Sequence, residues 1–358
     1  MRIILTGGGT AGHITPNIAL IPKLKDSGFD IYYIGTRDGM EYELISREKI
    51  PFYSISAGKL RRYFNFKNFT DILNILKGFL QAVKVIKKEK PDVIFSKGGY
   101  VSCPVVWAGW FLRIPVIIHE SDMTPGLANK LSLPFAKNIC VAFPETEKHI
   151  KKSKCVLTGL PVREALFNGK KDIGLRICNF TDKPTILVIG GSLGSAFLNM
   201  TMRQSLEILL KKYQIAHICG KDSMDNNLLE LEGYKQFEYV GDEMSHLYAM
   251  ADIIVSRAGA TTLFEILALE KASLLIPLSK KASRGDQILN AKSFEKKGLA
   301  KILEEDDLTQ ENFIESIENT YSTRKKIQET IKESGMNNGV DDVIKVITNS
   351  FLQKNSDI

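Results

Sequence analysis

Seven consecutive residues near the start, Gly7-Gly8-Gly9-Thr10-Ala11-Gly12-His13, join a pliant backbone to a single imidazole. They follow an apolar run, Ile3 to Thr6, and precede a helical pattern. The arrangement predicts backbone N–H groups turned toward an anion with a helix dipole behind them. Gly7-x-Gly9-x-x-Gly12 also spells a dinucleotide fingerprint, but the second strand ends at Gly35-Thr36, where a ribose-binding acid is expected. A Walker loop fails as well, because His13 and Ile14 stand where Lys and Ser or Thr are needed. A phosphate or oxyanion loop is the reading that remains. Most lone histidines are satisfied structural residues; at the mouth of a glycine loop, His13 is also the leading candidate for taking a proton near neutral pH.

Two later stretches, Ser96-Lys97-Gly98-Gly99-Tyr100-Val101-Ser102 and His119-Glu120-Ser121-Asp122, each follow a strand pattern. A glycine pair lets a ligand approach the backbone, and the acidic cluster concentrates polar groups; a turn and a helix cap are the alternatives. In the second half, Gly190-Gly191-Ser192-Leu193-Gly194-Ser195 repeats the strand, glycine turn and helix arrangement, and Ile253 to Glu265 does so again. There the amides of Ala260, Thr261 and Thr262 would hold a phosphate while Glu265 accepts from ribose hydroxyls, unless Glu265 only complements the helix dipole. Asp286-Gln287-x-x-Asn290 adds groups suited to sugar hydroxyls. No Asp-x-Asp occurs, so a metal clamp on a nucleotide diphosphate has no evident ligands and neither metal nor cofactor is expected. A departing diphosphate would need helix N-termini and a cation such as Arg163.

These motifs require elements to hold them. Short Ile/Val/Leu-rich strands, at Ile3–Thr6, Ile31–Gly35, Asp92–Ser96, Val116–His119 and Ile139–Ala142, alternate with helical patterns in the first half. Thr185–Ile189, Ala216–Cys219, Phe237–Val240, Ile253–Ser256 and Ser273–Pro277 do the same in the second. Continuous apolar strands separated by helices predict parallel sheets covered on both faces. The fold class is therefore α/β, two doubly wound Rossmann-like domains facing a cleft, with a boundary near Gly159–Lys171 that assigns 1–163 and 164–340. Val340, Val343, Ile344, Ile347 and Phe351 share a helical spacing that predicts a closing helix, about 341–358, joined to the first domain.

The 358 residues suffice for two cores without staples, and 44% hydrophobic with 25% charged residues excludes disorder, collagen and coiled coil. Five scattered cysteines with no C-x-x-C indicate neither a zinc site nor a disulfide framework, and suit a reducing cytoplasm. No stretch reads as a signal or a membrane span. The net charge of +7 is uneven: residues 1–163 carry 24 basic against 13 acidic side chains, residues 164–358 carry 24 against 28. Ten basic residues fall between Lys59 and Lys97. Within that segment Ile72, Leu73, Leu76, Leu80 and Val83 repeat at helical spacing and are assigned to the core. Arg61, Arg62, Tyr63, Phe64, Phe66 and Lys67 are less easily buried and predict a reversible foothold on an anionic membrane. Nucleic acid is not expected, since no binding module appears.

Taken in order, Gly7 to His13, Gly98-Gly99-Tyr100-Val101-Ser102, His119-Glu120, Gly159-x-Pro161-Val162-Arg163, Gly190-Gly191-Ser192-x-Gly194, Arg257-x-Gly259-Ala260-x-Thr262-x-x-Glu265 and Asp286-Gln287-x-x-Asn290 resemble the MurG family of peptidoglycan glycosyltransferases. The resemblance covers nearly the whole chain and implies the glycosyltransferase-B architecture. It implies inverting transfer of N-acetylglucosamine from UDP-N-acetylglucosamine to the 4-hydroxyl of N-acetylmuramic acid in undecaprenyl-pyrophosphoryl-N-acetylmuramyl-pentapeptide (lipid I), giving lipid II. The place of action would be the cytoplasmic face of the cell membrane, peripherally, on an anionic inner-membrane surface.

Carried over by motif, His13 and Glu120 would be catalytic. Thr10, Ala11, Gly12, Asp122, Arg163, Ser192, Gly241, Ala260, Thr261, Thr262, Glu265, Gln287 and Asn290 would contact the donor, and Gly98, Gly99, Tyr100 and Ser102 the acceptor. Four positions depart from the family pattern: Asp122 and Leu160 where Asn is common, Leu193 for Gln, and Asp286 for the first of two Gln. A carboxylate at 122 cannot donate as an amide does. Another UDP-sugar transferase, an epimerase of the same fold, and a non-catalytic nucleotide-sugar-binding membrane scaffold are the competing readings.

Overall fold

The structure, a computed structural model, describes residues 1–58, 67–191, 194–281, 284–336 and 338–356, with only the backbone at 67–70 and 353–356. The chain divides into two compact units, Met1–Arg163 with Asn338–Ile358, and Glu164–Asn337.

The first unit alternates β1 (Arg2–Thr6), α1 (Thr15–Asp26), β2 (Asp30–Gly35), α2 (Met40–Ser46), β3 (Phe52–Ser54), α3 (Lys67–Glu89), β4 (Val93–Ser96), α4 (Ser102–Phe111), β5 (Val116–Glu120), α5 (Leu127–Ser132), β6 (Asn138–Val141) and β7 (Cys155–Leu157). Its sheet is parallel in the order β3-β2-β1-β4-β5-β6-β7. Ile3, Ile4, Leu5, Val93, Ile94, Phe95 and Val116 to Ile118 are wholly buried, as strands covered on both faces must be.

The second unit runs α6 (Lys171–Cys178), β8 (Thr185–Ile189), α7 (Ala196–Leu209), β9 (Gln214–Ile218), β10 (Tyr234–Phe237), α8 (Met244–Met250), β11 (Ile253–Ser256), α9 (Ala260–Ala268), β12 (Ala272–Leu275), α10 (Asp286–Lys296), β13 (Lys301–Ile302), α11 (Gln310–Ser322) and α12 (Arg324–Glu333). Its parallel sheet has the order β10-β9-β8-β11-β12-β13. The last helix, α13 (Val340–Ser356), returns to the first unit, where Val343, Ile344 and Ile347 join Leu20, Leu24 and Ile3 in one core. Before it, the Asn338 side chain binds Val162 in both directions: Oδ1 accepts from its N–H and Nδ2 donates to its carbonyl, both at 2.8 Å.

Three edge strands, β3, β7 and β13, escape the sequence pattern because they are only two or three residues long and half-exposed. β10 begins at Tyr234, three residues before the expected Phe237, and Tyr239 of the expected strand is instead strongly exposed.

The core assignment on α3 is corrected. Ile72, Leu73, Leu76 and Leu80 are 50–67% exposed, and the buried face consists of Ile75, Ala82 and Ile86, with Phe79 and Val83 partly buried. Both stripes satisfy a 3.6-residue period, and the larger side chains happen to be on the outer one. Trp110 and Phe111 of α4 are also more than half exposed, and Phe111 meets Phe79 edge-on at 5.9 Å. Among the described residues no helix is long and apolar enough to cross a membrane. Arg61, Arg62, Tyr63, Phe64 and Phe66 lie outside the described residues, and of Lys67 only the backbone is described.

Candidate functional site

In a doubly wound sheet, ligands gather beyond the carboxyl ends of the strands where the strand order reverses. In the first unit that point lies between β1 and β4. The loops leaving these strands are the ones that begin at Gly7 and Lys97.

The glycine loop is fixed from within. Tyr33, wholly buried, donates its hydroxyl to Gly7 O at 2.9 Å, and Asn17 Nδ2 donates to Thr6 O at 3.2 Å. Glu41, also wholly buried, accepts the Gly9 N–H at 3.3 Å and takes both the N–H and the hydroxyl of Thr36. The N–H groups of His13 and Ile14 are used on Thr10 O and Ala11 O. Within the loop a carboxylate of the chain itself holds the Gly9 amide, and the His13 amide is spent on the turn. An external phosphate there would meet like charge.

His13 closes a short 3-10 turn, Ala11–His13, and is half-buried, with Nδ1 2.9 Å from the exposed Thr10 hydroxyl. Beside it the two loops touch. Gly99 adopts φ +84°, and a Cβ there would lie 2.2 Å from Gly8 O; one on Gly9, at φ +87°, would lie 2.7 Å from the Tyr100 ring. Glycine is required for that approach. Tyr100 is half-buried, and burial together with the Glu41 charge raises its phenol pKa. Gly98 is buried, while Ser102 is 1% exposed and donates its hydroxyl to Gly99 O at 2.8 Å. Ser102 thus shapes the turn and presents no hydroxyl outward.

Beyond β5, His119 is buried with Nε2 2.8 Å from Gly159 O, and burial pushes its pKa well down, so the ring is neutral. Glu120, 4% exposed, accepts from Asp122 N (3.0 Å), Gly126 N (3.1 Å) and Asn129 Nδ2 (2.8 Å). Burial, then the Asp122 charge, raises its pKa. Its oxygens brace the loop through these three contacts. Asp122 is half-buried on that loop, and Arg163 is half-buried at the last position of the first unit.

In the second unit the order reverses between β8 and β11. Helix α7 is capped by Ser195, whose Oγ accepts the Leu198 N–H at 3.3 Å. Helix α9 starts at Gly259 without a side-chain cap, and a Cβ at Gly259 would meet nothing within 4 Å. Its first-turn amides, at Ala260, Thr261 and Thr262, form the uncapped helix N-terminus at this switch point, the arrangement that suits an anion. Glu265, one turn on and buried, accepts from Tyr248 Oη at 3.0 Å. Gln287 Oε1 accepts from Leu278 N at 3.1 Å, the buried Asn290 donates to Ala258 O at 3.4 Å, and Gly241 opens the turn into α8. Ser192 lies outside the described residues.

Sequence reasoning assigned no role to the groups behind these loops, even where their residues fell within quoted motifs. Arg257, 7% exposed, donates to Ile276 O (3.0 Å) and Ser195 Oγ (2.5 Å) and pairs with Glu305, whose other oxygen accepts from Ser279 N. Glu41, Lys97 and Tyr248 were equally silent, since each meets a partner distant in sequence. Among the described residues no group of three or more His, Cys, Asp or Glu side chains gathers to hold a metal ion.

Both units match one class. The glycosyltransferase family 28 N-terminal domain covers residues 3–141 and its C-terminal domain residues 185–347. The chain is 56% identical over 355 residues, 99% of both chains, to the UDP-N-acetylglucosamine–N-acetylmuramyl-(pentapeptide) pyrophosphoryl-undecaprenol N-acetylglucosamine transferase of Clostridium tetani. It is 55% identical over 348 residues to the protein of the same name from Clostridium novyi, covering 97% of this chain and 98% of that one. Among solved structures, MurG of Acinetobacter baumannii superposes with a TM-score of 0.76 at 28% identity, over 97% of this chain and 99% of that one. The chain belongs to the MurG family of these glycosyltransferases.

Proposed function

We propose that this chain transfers N-acetylglucosamine from UDP-N-acetylglucosamine to the 4-hydroxyl of N-acetylmuramic acid in lipid I, giving lipid II. The observation that carries the reading is the division of labour between the two switch points, which accompanies the names of the full-length relatives. One presents an imidazole on a braced glycine loop; the other presents an uncapped helix N-terminus one turn from a carboxylate held by Tyr248. In the proposed step the acceptor oxygen attacks the anomeric carbon as its bond to UDP breaks, with inversion. The hydroxyl proton passes to His13 Nε2, which requires Nδ1–H to donate to Thr10 Oγ1. The leaving diphosphate carries its charge toward the amides of Ala260 to Thr262 and Arg163, without a metal.

Incubation with labelled UDP-N-acetylglucosamine and lipid I, with and without EDTA, tests this. A labelled lipid product insensitive to EDTA is expected; no product sinks the transfer, and loss in EDTA sinks the metal-free step. Glu265 is assigned to the ribose hydroxyls. Its replacement by Ala is expected to raise the donor KM by about ten- to a hundredfold, the scale of hydrogen bonds to a charged group, and an unchanged KM removes the contact.

The outer stripe of α3 supports a place of action at a membrane surface. Ile72, Leu73, Leu76 and Leu80, with Trp110 and Phe111 alongside, form an apolar face flanked by the exposed Lys77, Lys84, Lys87 and Lys88. Such a face suits peripheral binding to an anionic leaflet on the cytoplasmic side, apolar contact adding to roughly 1 kcal/mol per lysine. Leu76→Glu with Leu80→Glu is expected to weaken sedimentation with anionic vesicles by at least about tenfold. Undiminished binding places the foothold elsewhere.

A further inference from the structure

The glycine loop of the first unit covers a lysine that the mechanism does not use. Lys97 follows β4 directly, is wholly buried, and makes a single side-chain hydrogen bond among the described residues, from Nζ to Ser121 Oγ at 2.8 Å. A Cβ at Gly7 would lie 3.2 Å from Lys97 Cβ, so the lysine stem runs directly beneath that loop. Its backbone N–H donates to Thr6 O. One side chain thus touches the loops that follow β1, β4 and β5.

A buried ammonium with one hydrogen bond is costly unless charge compensates it. The compensation comes from β5 and its loop, where Glu120 and Asp122 both favour the charged lysine. Burial outweighs them and pulls its pKa down to about 8. His119 on β5 is neutral, driven down in part by Lys97; on the lysine's own loop Tyr100 is raised toward the phenol form; Glu41 acts on Tyr100. Both carboxylates thus act on the one buried ammonium. Without it, Glu120 and Asp122 would repel each other across the loop whose amides Glu120 holds.

We propose that Lys97 is a positioning residue for transfer: its buried ammonium, held on Ser121, balances Asp122 and fixes the loop after β5 against the His13 loop. This rests on the reading of these loops as the lining of the reaction centre. It also accounts for an acid at 122 where an amide is common in the family. The lysine touches no reacting atom; it sets the charge state and geometry of those that line the site.

The test is a cycle of Lys97→Met, Asp122→Asn and the double variant, assayed for lipid product from pH 6.5 to 9.5. Lys97→Met is expected to lower kcat by about tenfold or more, the scale of a loop misplaced by a fraction of an ångström, with donor KM within about twofold. The double variant is expected to recover most of that loss. Wild-type kcat should fall as pH rises through about 8, where the ammonium is lost, and the double variant should lack that limb. A Lys97→Met variant with wild-type kcat and an intact alkaline limb overturns the proposal, and so does a double variant as impaired as the single one. If Lys97→Met does not fold, Asp122→Asn alone decides. Removing a carboxylate that favours the ammonium must move the limb below that of the wild type, and an unmoved limb overturns the pairing. Failure of the functional reading is distinct, because the wild type would then make no lipid product at any pH.

Discussion

Replacing His13 by Ala is expected to lower kcat by about 10²- to 10⁴-fold, the range for a lost general base, while the protein remains folded. The second half of that expectation comes from the turn that carries it. No residue of Ala11–His13 is buried, so the imidazole fills no core space and its removal opens no cavity. The loop keeps its shape from Tyr33, Asn17 and Glu41, none of which depends on the ring. With donor binding proposed to lie mainly in the second unit, donor KM should change far less than kcat. Steady-state rates with lipid I, alongside circular dichroism, check both halves. Normal turnover by a folded variant would remove His13 from the base role, and Glu120 could not inherit it readily, since its oxygens already hold two loop amides and Asn129.

The largest effect on stability is expected at Arg257. Its guanidinium ties together three segments: Ser195 after β8, Ile276 after β12 and Glu305 after β13. The ion-pair side chains are only 8% and 13% exposed. Removing one member of a buried pair leaves the other charge uncompensated, a loss of about 3–5 kcal/mol. Arg257→Met should therefore destabilise the second unit by that amount in urea, and Arg257→Met with Glu305→Gln should recover much of it, because the stranded carboxylate is gone. A single variant that loses less than about 1 kcal/mol would reduce the pair to a surface contact. The motif arginine thus braces the loops that follow three strands of the second sheet.

The contrast between Arg257 and His13 shows what the sequence makes legible. Strands buried on both faces are written as unbroken apolar runs, so β1, β4, β5, β8 and β11 stand out, and with them the loops at both switch points. Edge strands carry no such run: β3, β7 and β13 are set by pairing with a neighbour already in place. On α3 the period identified a helix but could not choose between two apolar faces, one buried and one exposed. Groups that support the site are silent for another reason. Glu41 meets Gly9 across 32 positions and Arg257 meets Glu305 across 48, distances at which no local pattern survives. The carboxylate that holds Gly9 is likewise hidden from the reading of the Gly7 loop, since it comes from the next helix but one.

The return of α13 has a consequence for the order in which the protein can be completed on the ribosome. Domains usually close in the order they are synthesised. Here the second unit, Glu164–Asn337, is contiguous, whereas the first draws Val343, Ile344 and Ile347 into its core from the last stretch of chain. At about 5–20 residues per second, the interval before those residues emerge is on the order of ten to thirty seconds. During that time the first unit has an uncovered apolar groove beside α1, while the second unit can already be finished. The second unit can thus close before the first, whose core waits for α13.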